Sequence, residues 1–104
     1  MSTDLTRRLA GRVAVVTGGG GGIGLASARR LHAEGATLVI GDIDGKTGAA
    51  AADELGGLYV EVDVSDELSV NTLFDTAAAT YGSVDIAVNN AGISPPDEIG
   101  RAHV

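Results

Sequence analysis

The sequence predicts an α/β fold, a doubly wound parallel sheet carried as far as its fourth strand. Three observations predict it. Short, β-branched apolar runs without alternation recur along the chain, as strands buried on both faces require. They alternate with segments of helical spacing, giving the order β-α-β-α-β-α-β. The first strand-to-helix junction is an unbroken run of five glycines, Gly18 to Gly22.

Arg12 to Thr17 (Arg-Val-Ala-Val-Val-Thr) reads as the first strand. Ile23, Ser27 and Leu31 then recur every fourth residue with Gly24 and Ala28 beside them, which predicts a helix closed by Gly35. Thr37 to Gly41 is a second buried strand, followed by Asp42. The Ala-rich stretch Gly45 to Leu55 predicts a helix with Gly56 and Gly57 as its stop, and Asp44 as a turn residue or its cap. Leu58 to Val62 reads as a third strand. Ser65 is a candidate N-cap for a helix carrying Val70, Leu73, Phe74, Ala77, Ala78 and Tyr81 on one stripe, with Gly82 closing it. Asp85 to Val88 is the fourth strand and leads into Asn89-Asn90-Ala91-Gly92. Right-handed crossovers and short loops give the expected strand order 3-2-1-4, half of a Rossmann-like sheet.

Composition bounds the function. The chain has 104 residues, 44% of them hydrophobic and 20% charged, a balance that suits one folded domain at most. A net charge of −7 repels phosphate backbones and argues against nucleic-acid binding. With no cysteine, neither a disulfide scaffold nor a thiolate metal site is available. His32 and His103 have no metal-ligand company. No apolar run approaches the length of a membrane span and Met1 to Arg12 lacks a secretory core, so the expected setting is cytoplasmic, away from membranes.

The glycine turn carries the first functional reading. A helix N-terminus offers unpaired N–H groups and a partial positive charge, which suit a pyrophosphate, and side chains in the turn would block its approach. The run satisfies Gly-x-Gly-x-x-Gly from Gly19, Gly21 and Gly24, and Thr-Gly-x-x-x-Gly-x-Gly from Thr17, Gly18, Gly22 and Gly24. The competing reading is a flexible loop without a ligand. Asp42 follows at the end of strand two, near the distance at which a carboxylate meets the adenosine ribose hydroxyls in this architecture. That carboxylate would repel a 2′-phosphate, and no Arg or Lys in the turn could neutralise one. Both features favour NAD over NADP. An ordinary turn, Asp42-Ile43-Asp44-Gly45, is the alternative.

Taken together, Thr17-Gly-Gly-Gly-Gly-Gly-Ile-Gly24, Asp42, Asp63-Val64 and Asn89-Asn90-Ala91-Gly92 resemble, in order and spacing, the short-chain dehydrogenases/reductases. The resemblance runs from about Gly11 to Pro96 and covers only the N-terminal, cofactor-binding portion of that family's domain. It implies that Gly18, Gly22, Ile23 and Gly24 cradle the pyrophosphate. It implies that Asp42 binds the adenosine ribose with Ile43 beside the adenine, and that Asp63 hydrogen-bonds the adenine amino group with Val64 against the ring. Asn90, Ala91 and Gly92 would line the adenosine ribose and the route toward the nicotinamide, while Asn89 would brace the central strands. For Asp63 the alternative is helix capping beside Ser65; for Asn89 and Asn90 it is a plain strand-to-turn transition. Extended-type sugar-nucleotide enzymes, with Thr-Gly-x-x-Gly-x-x-Gly, also fit the glycine run, but Asn-Asn-Ala-Gly favours the short-chain type.

The family transfers hydride with a Tyr acid/base and a Lys in Tyr-x-x-x-Lys. Here Tyr59 and Tyr81 are followed at that spacing by Asp63 and Asp85, and the one lysine is Lys46, so this sequence holds no such pair and no assigned catalytic residue. The ending Ile99-Gly-Arg-Ala-His-Val104 corresponds to codons that open a common sequencing adapter. The expectation is that residues 1–98 are half of one NAD-binding domain and 99–104 a non-native tail to be left out of fold reasoning. Three functions compete: an NAD-dependent oxidoreductase of alcohols or ketones in the parent protein, expected to be a homo-oligomer; a dinucleotide-binding module without turnover; and an unstable fragment. A half-sheet with an uncovered fourth strand is expected to be poorly soluble or partly molten.

Overall fold

The structure is a computed structural model and describes residues 8–90 together with the backbone of Ala102–His103. Five parallel strands form one sheet: β1 (Val13–Thr17), β2 (Thr37–Asp42), β3 (Leu58–Glu61), β4 (Ile86–Asn89) and the two-residue β5 (Ala102–His103). Among the described residues three helices connect the first four strands: α1 (Gly22–Ala33), α2 (Gly45–Glu54) and α3 (Glu67–Tyr81). The order across the sheet is β3-β2-β1-β4-β5. The predicted order 3-2-1-4 is therefore the observed one for the first four strands.

The strands are buried as their composition requires. Every residue of β1 is buried, and so are Leu38 to Gly41 of β2. Two cores result, one on each face. Val13, Val15 and Val39 point toward α3, where Val70, Leu73, Phe74 and Ala77 meet them. Burial of Leu73 or Phe74 contributes about 1.5–3 kcal/mol each. Ala14, Val16, Leu38 and Ile40 point toward α1 and α2, where Ala28, Ala51, Ala52 and Leu55 meet them. Small partners on this face let the helices lie close to the sheet.

Several local readings are corrected. The stripe of α1 is narrower than Ile23, Ser27 and Leu31 suggest: Gly24 and Ala28 are its buried residues and Ile23 is 77% exposed. Small residues give the closest approach, so the helix turns them inward. On α3, Ala78 and Tyr81 lie outside the buried face. The N-cap of α3 is Asp66, whose carboxylate accepts the Leu68 N–H at 3.0 Å; Ser65 instead donates its hydroxyl to Asp63 Oδ1 at 2.6 Å. Gly82 ends α3 in the left-handed region at φ 91°.

Asp85 stands just before β4 as a buried carboxylate. It accepts the Val13 N–H at 2.9 Å and its own N–H donates to the Val13 carbonyl oxygen at 2.9 Å, clamping the start of β1 to the start of β4. The Arg12 guanidinium lies 3.7 Å from it. Whereas the sequence reading stops the sheet at β4 and sets 99–104 aside, Ala102 and His103 pair with Ile86 and Ala87. An open strand edge carries unpaired N–H and C=O groups, and an extended segment within reach satisfies them.

Candidate cofactor site at the strand ends

The site forms where the strands finish level. Thr17, the last residue of β1, is in register with Gly41 on one side and Asn89 on the other. Its buried hydroxyl donates to the Val88 carbonyl oxygen at 3.2 Å, tying β1 to β4. The chain leaves β1 toward β2 on one side and reaches β4 on the other. The crevice between them is therefore a topological switch point, the place where open α/β sheets hold ligands.

The glycine turn rises from that point. Gly18 has φ +67° and donates its N–H to the Gly41 carbonyl oxygen at 2.7 Å; Gly22 has φ +57° and opens α1. Both conformations disfavour side chains. Gly24 is required for space, since a Cβ there would strike the Gly18 carbonyl oxygen. Gly21 is the N-cap of α1, with extended backbone (φ −167°), no side-chain capping bond and open space around the position of a Cβ. No acidic residue sits in the first turn of α1, so its unpaired N–H groups and partial positive charge face no competing carboxylate there.

Asp42 ends β2 beside this turn. Its Oδ2 accepts the Gly20 N–H at 2.9 Å and its Oδ1 accepts the Asp44 N–H at 3.0 Å. The carboxylate thus links the glycine turn to the β2–α2 connection. Asp44 caps α2 as the sequence suggests, accepting the N–H groups of Lys46 and Thr47. Ile43, between the two acids, is 64% exposed and offers an apolar surface at the strand end.

Asp63 lies beyond β3 and is exposed. Its Oδ1 accepts the Ser65 hydroxyl and, at 3.0 Å, the Ser65 N–H; these bonds hold its carboxyl below the usual carboxylate range. Its own N–H donates to Ser69 Oγ at 2.9 Å, which fixes the loop. Val64 is half-buried and packs on the α3-side core.

At the end of β4, Asn90 is exposed, and its Nδ2 would stand 3.0 Å from a Cβ placed on Gly24. It therefore sits over the start of α1. Asn89 Oδ1 is buried and has no hydrogen-bond partner among the described residues. Gly18, Gly22, Gly24, Asp42, Ile43 and Asn90 are gathered at the ends of β1, β2 and β4. Ile23 faces outward from the first turn of α1, and Asp63 with Val64 occupies the far side beyond β3. Ala91 and Gly92 lie outside the described residues. Thr17 ties two strands and Gly20 supplies the N–H that meets Asp42, roles that the glycine motif does not assign. Neither contact leaves a signal in the sequence, because each joins residues distant along the chain.

Comparison with known proteins bears on the family and the fold. The family model for short chain dehydrogenase matches residues 12–103. Tropinone reductase-like 1 of Erythroxylum coca is 49% identical over 89 residues, 84% of this chain and 33% of that protein. A cis-4-hydroxycyclohexanecarboxylate dehydrogenase of Sinomonas cyclohexanicum is 52% identical over 89 residues, 82% of this chain and 36% of that protein. A 3-ketoacyl-(acyl-carrier-protein) reductase from Brucella melitensis, solved with NADH, superposes with a TM-score of 0.77 at 42% identity, covering 82% of this chain and 36% of that one. A short chain dehydrogenase/reductase from Burkholderia phymatum, solved with NAD, gives 0.78 at 37% identity, covering 81% and 32%. The chain spans about a third of the length of the relatives it matches. With its parallel sheet, its glycine turn and a family match across nearly all its length, the chain belongs to the short-chain dehydrogenase family.

Proposed function

We propose that this chain holds the adenosine and pyrophosphate portion of NAD(H) at the ends of β1, β2 and β4, as part of an oxidoreductase acting on alcohols or ketones. The observation that carries the reading is the Asp42 carboxylate set against the glycine turn through Gly20. In this reading Gly18, Gly22 and Gly24 leave room for the pyrophosphate, and the first N–H groups of α1 bond its oxygens. Asp42 accepts hydrogen bonds from the ribose diol. Ile43 and Val64 flank the adenine and Asp63 accepts its amino group. Asn90, Ala91 and Gly92 line the path toward the nicotinamide, which supplies hydride chemistry when bound. A 2′-phosphate would meet the Asp42 anion, so the cofactor is NAD. Solved relatives hold NADH and NAD, which supports the choice.

The sequence as given holds no Tyr-x-x-x-Lys, the pair that the family resemblance ties to turnover. That observation favours a second reading, a dinucleotide-binding module without catalysis. The two share one test. Titration calorimetry should show NAD binding to the 104-residue chain and NADP binding at least about tenfold more weakly, with Asp42→Ala removing the difference. No heat with NAD, or a preference for NADP, would overturn the site. Reduction of NAD by the chain with secondary alcohols would overturn the module.

A further inference from the structure

Asp42 is positioned by a side chain from the neighbouring strand. Tyr59 lies on β3 in register with Ile40, two residues before Asp42 along β2. Its phenol reaches past the strand end and donates to the Asp42 carbonyl oxygen at 2.8 Å. The same oxygen accepts the Val62 N–H at 3.2 Å. Two donors from the β3 side thus hold the last peptide of β2, at the point where the sheet ladder ends and a strand would otherwise fray. The ring is half-buried, and the first turn of α2 admits it because residue 48 is glycine: a Cβ on Gly48 would collide with the Tyr59 ring and lie 3.1 Å from Asp42 Cβ. Burial pushes the phenol above its ordinary range, as do the negative charges of Glu61, Asp42 and Asp44. The phenol therefore stays protonated and remains a donor at neutral pH.

We propose that Tyr59, seated against Gly48, is the positioning residue that aims the Asp42 carboxylate at the adenosine ribose, and so sets how strongly this site senses the ribose 2′-hydroxyl. The proposal rests on the reading of Asp42 given above. Tyr59 acts through the Asp42 backbone, to which its phenol is bonded. It fixes the peptide whose side chain sits in a slot between two donors, Oδ2 accepting the Gly20 N–H at 2.9 Å and Oδ1 the Asp44 N–H at 3.0 Å. A small rotation of the Asp42 peptide would move the carboxylate out of this slot. Removing the phenol oxygen leaves the Val62 bond to the Asp42 carbonyl in place, so no buried acceptor is orphaned and the fold survives.

The test compares NAD with its analogue lacking the adenosine 2′-hydroxyl, on the full chain and on Tyr59→Phe. The expected result is that Tyr59→Phe weakens NAD by about three- to tenfold and leaves the analogue within about twofold, so that discrimination narrows. Equal weakening of both ligands would mark the ring as merely structural and overturn the proposal, and so would no weakening of either. A wild-type measurement does not depend on the variant. The sequence has two tyrosines, Tyr59 and Tyr81, so ring-labelled tyrosine gives two readily assigned NMR signals. NAD should move the Tyr59 signal more than the analogue does, and an unmoved signal under saturating NAD overturns the inference. Failure of the underlying reading looks different: the wild-type chain then binds neither ligand, or binds both equally well.

Discussion

Asp63 keeps its charge into acid because Ser65 gives it a hydroxyl and an N–H to accept. Glu34 is held low in the same direction by its bonds from Arg30 and Arg8, and Glu54 by its bonds from Arg29. For each, the folded-state value lies below the unfolded one. The stability it contributes is therefore complete above the ordinary carboxylate range and is lost as pH falls through the depressed folded value. Asp63 and Glu54 are exposed, and Glu34 is half-buried but paired with exposed arginines, so solvent and salt screen all three and the effect of each is small. The melting temperature should fall as pH is lowered from neutrality through about 4 and below. Ser65→Ala should flatten part of that fall, and a melting temperature indifferent to acid would contradict these contacts. At this scale the acids that matter could be read from the sequence: Asp42, Asp44 and Asp63 each stand at a strand end or helix start, where a carboxylate has work to do. Their partners could not. Tyr59 meets Asp42 through the pairing of β3 with β2, and Gly20 meets it across 22 residues of chain.

Among the elements, α3 shows what local pattern decides and where it stops. Its apolar spacing is unambiguous, and Val70, Leu73, Phe74 and Ala77 are buried as that spacing requires. Its start is ambiguous, because Ser65 and Asp66 are both good caps. The choice falls to tertiary context: Asp63 takes the Ser65 hydroxyl, which leaves Asp66 to cap. Asp66→Ala should lower stability by about 1 kcal/mol, read as a shift in the urea midpoint, and Ser65→Ala by clearly less. Equal losses would place the cap wrongly. For α1 the every-fourth-residue pattern points to Ile23, whereas the helix packs through Gly24 and Ala28. Hydrophobicity alone cannot show that the closest packing belongs to the smallest residues.

Over the whole molecule the sheet is unevenly covered. Among the described residues α1 packs on β1 and β2, α2 on β2 and β3, and α3 on β1 and β3. No helix among them packs chiefly on β4. An open hollow of about 410 Å³ lies where one would fit, lined by Ile23, Ala26, Ser27, Arg30, Leu31 and Val88. On its outer edge β4 is paired by β5 at Ile86 and Ala87, the two pairs found among the described residues. Exposed apolar surface and a partly open edge favour association. The 104-residue chain should therefore bind a hydrophobic dye and sediment with a mass that rises with concentration. A monomer with one sharp melt and no dye binding would contradict this. The order of the first four strands was legible because short connections and right-handed crossovers leave few alternatives. The two-residue β5 was not, since nothing in Ala102-His103 distinguishes it from any extended pair.

The glycines of the first turn are not equivalent, and Gly21 differs from its neighbours in being both extended and open. The chain contains no cysteine, so a thiol introduced there would be the single thiol in the sequence. Gly21→Cys would place a single attachment point for a fluorophore at the mouth of the proposed cofactor crevice, on a backbone conformation that any residue adopts. The feature that makes the turn look featureless in sequence thus makes it addressable: occupancy of the site could be followed optically, from a probe placed beside the ligand rather than within its cradle.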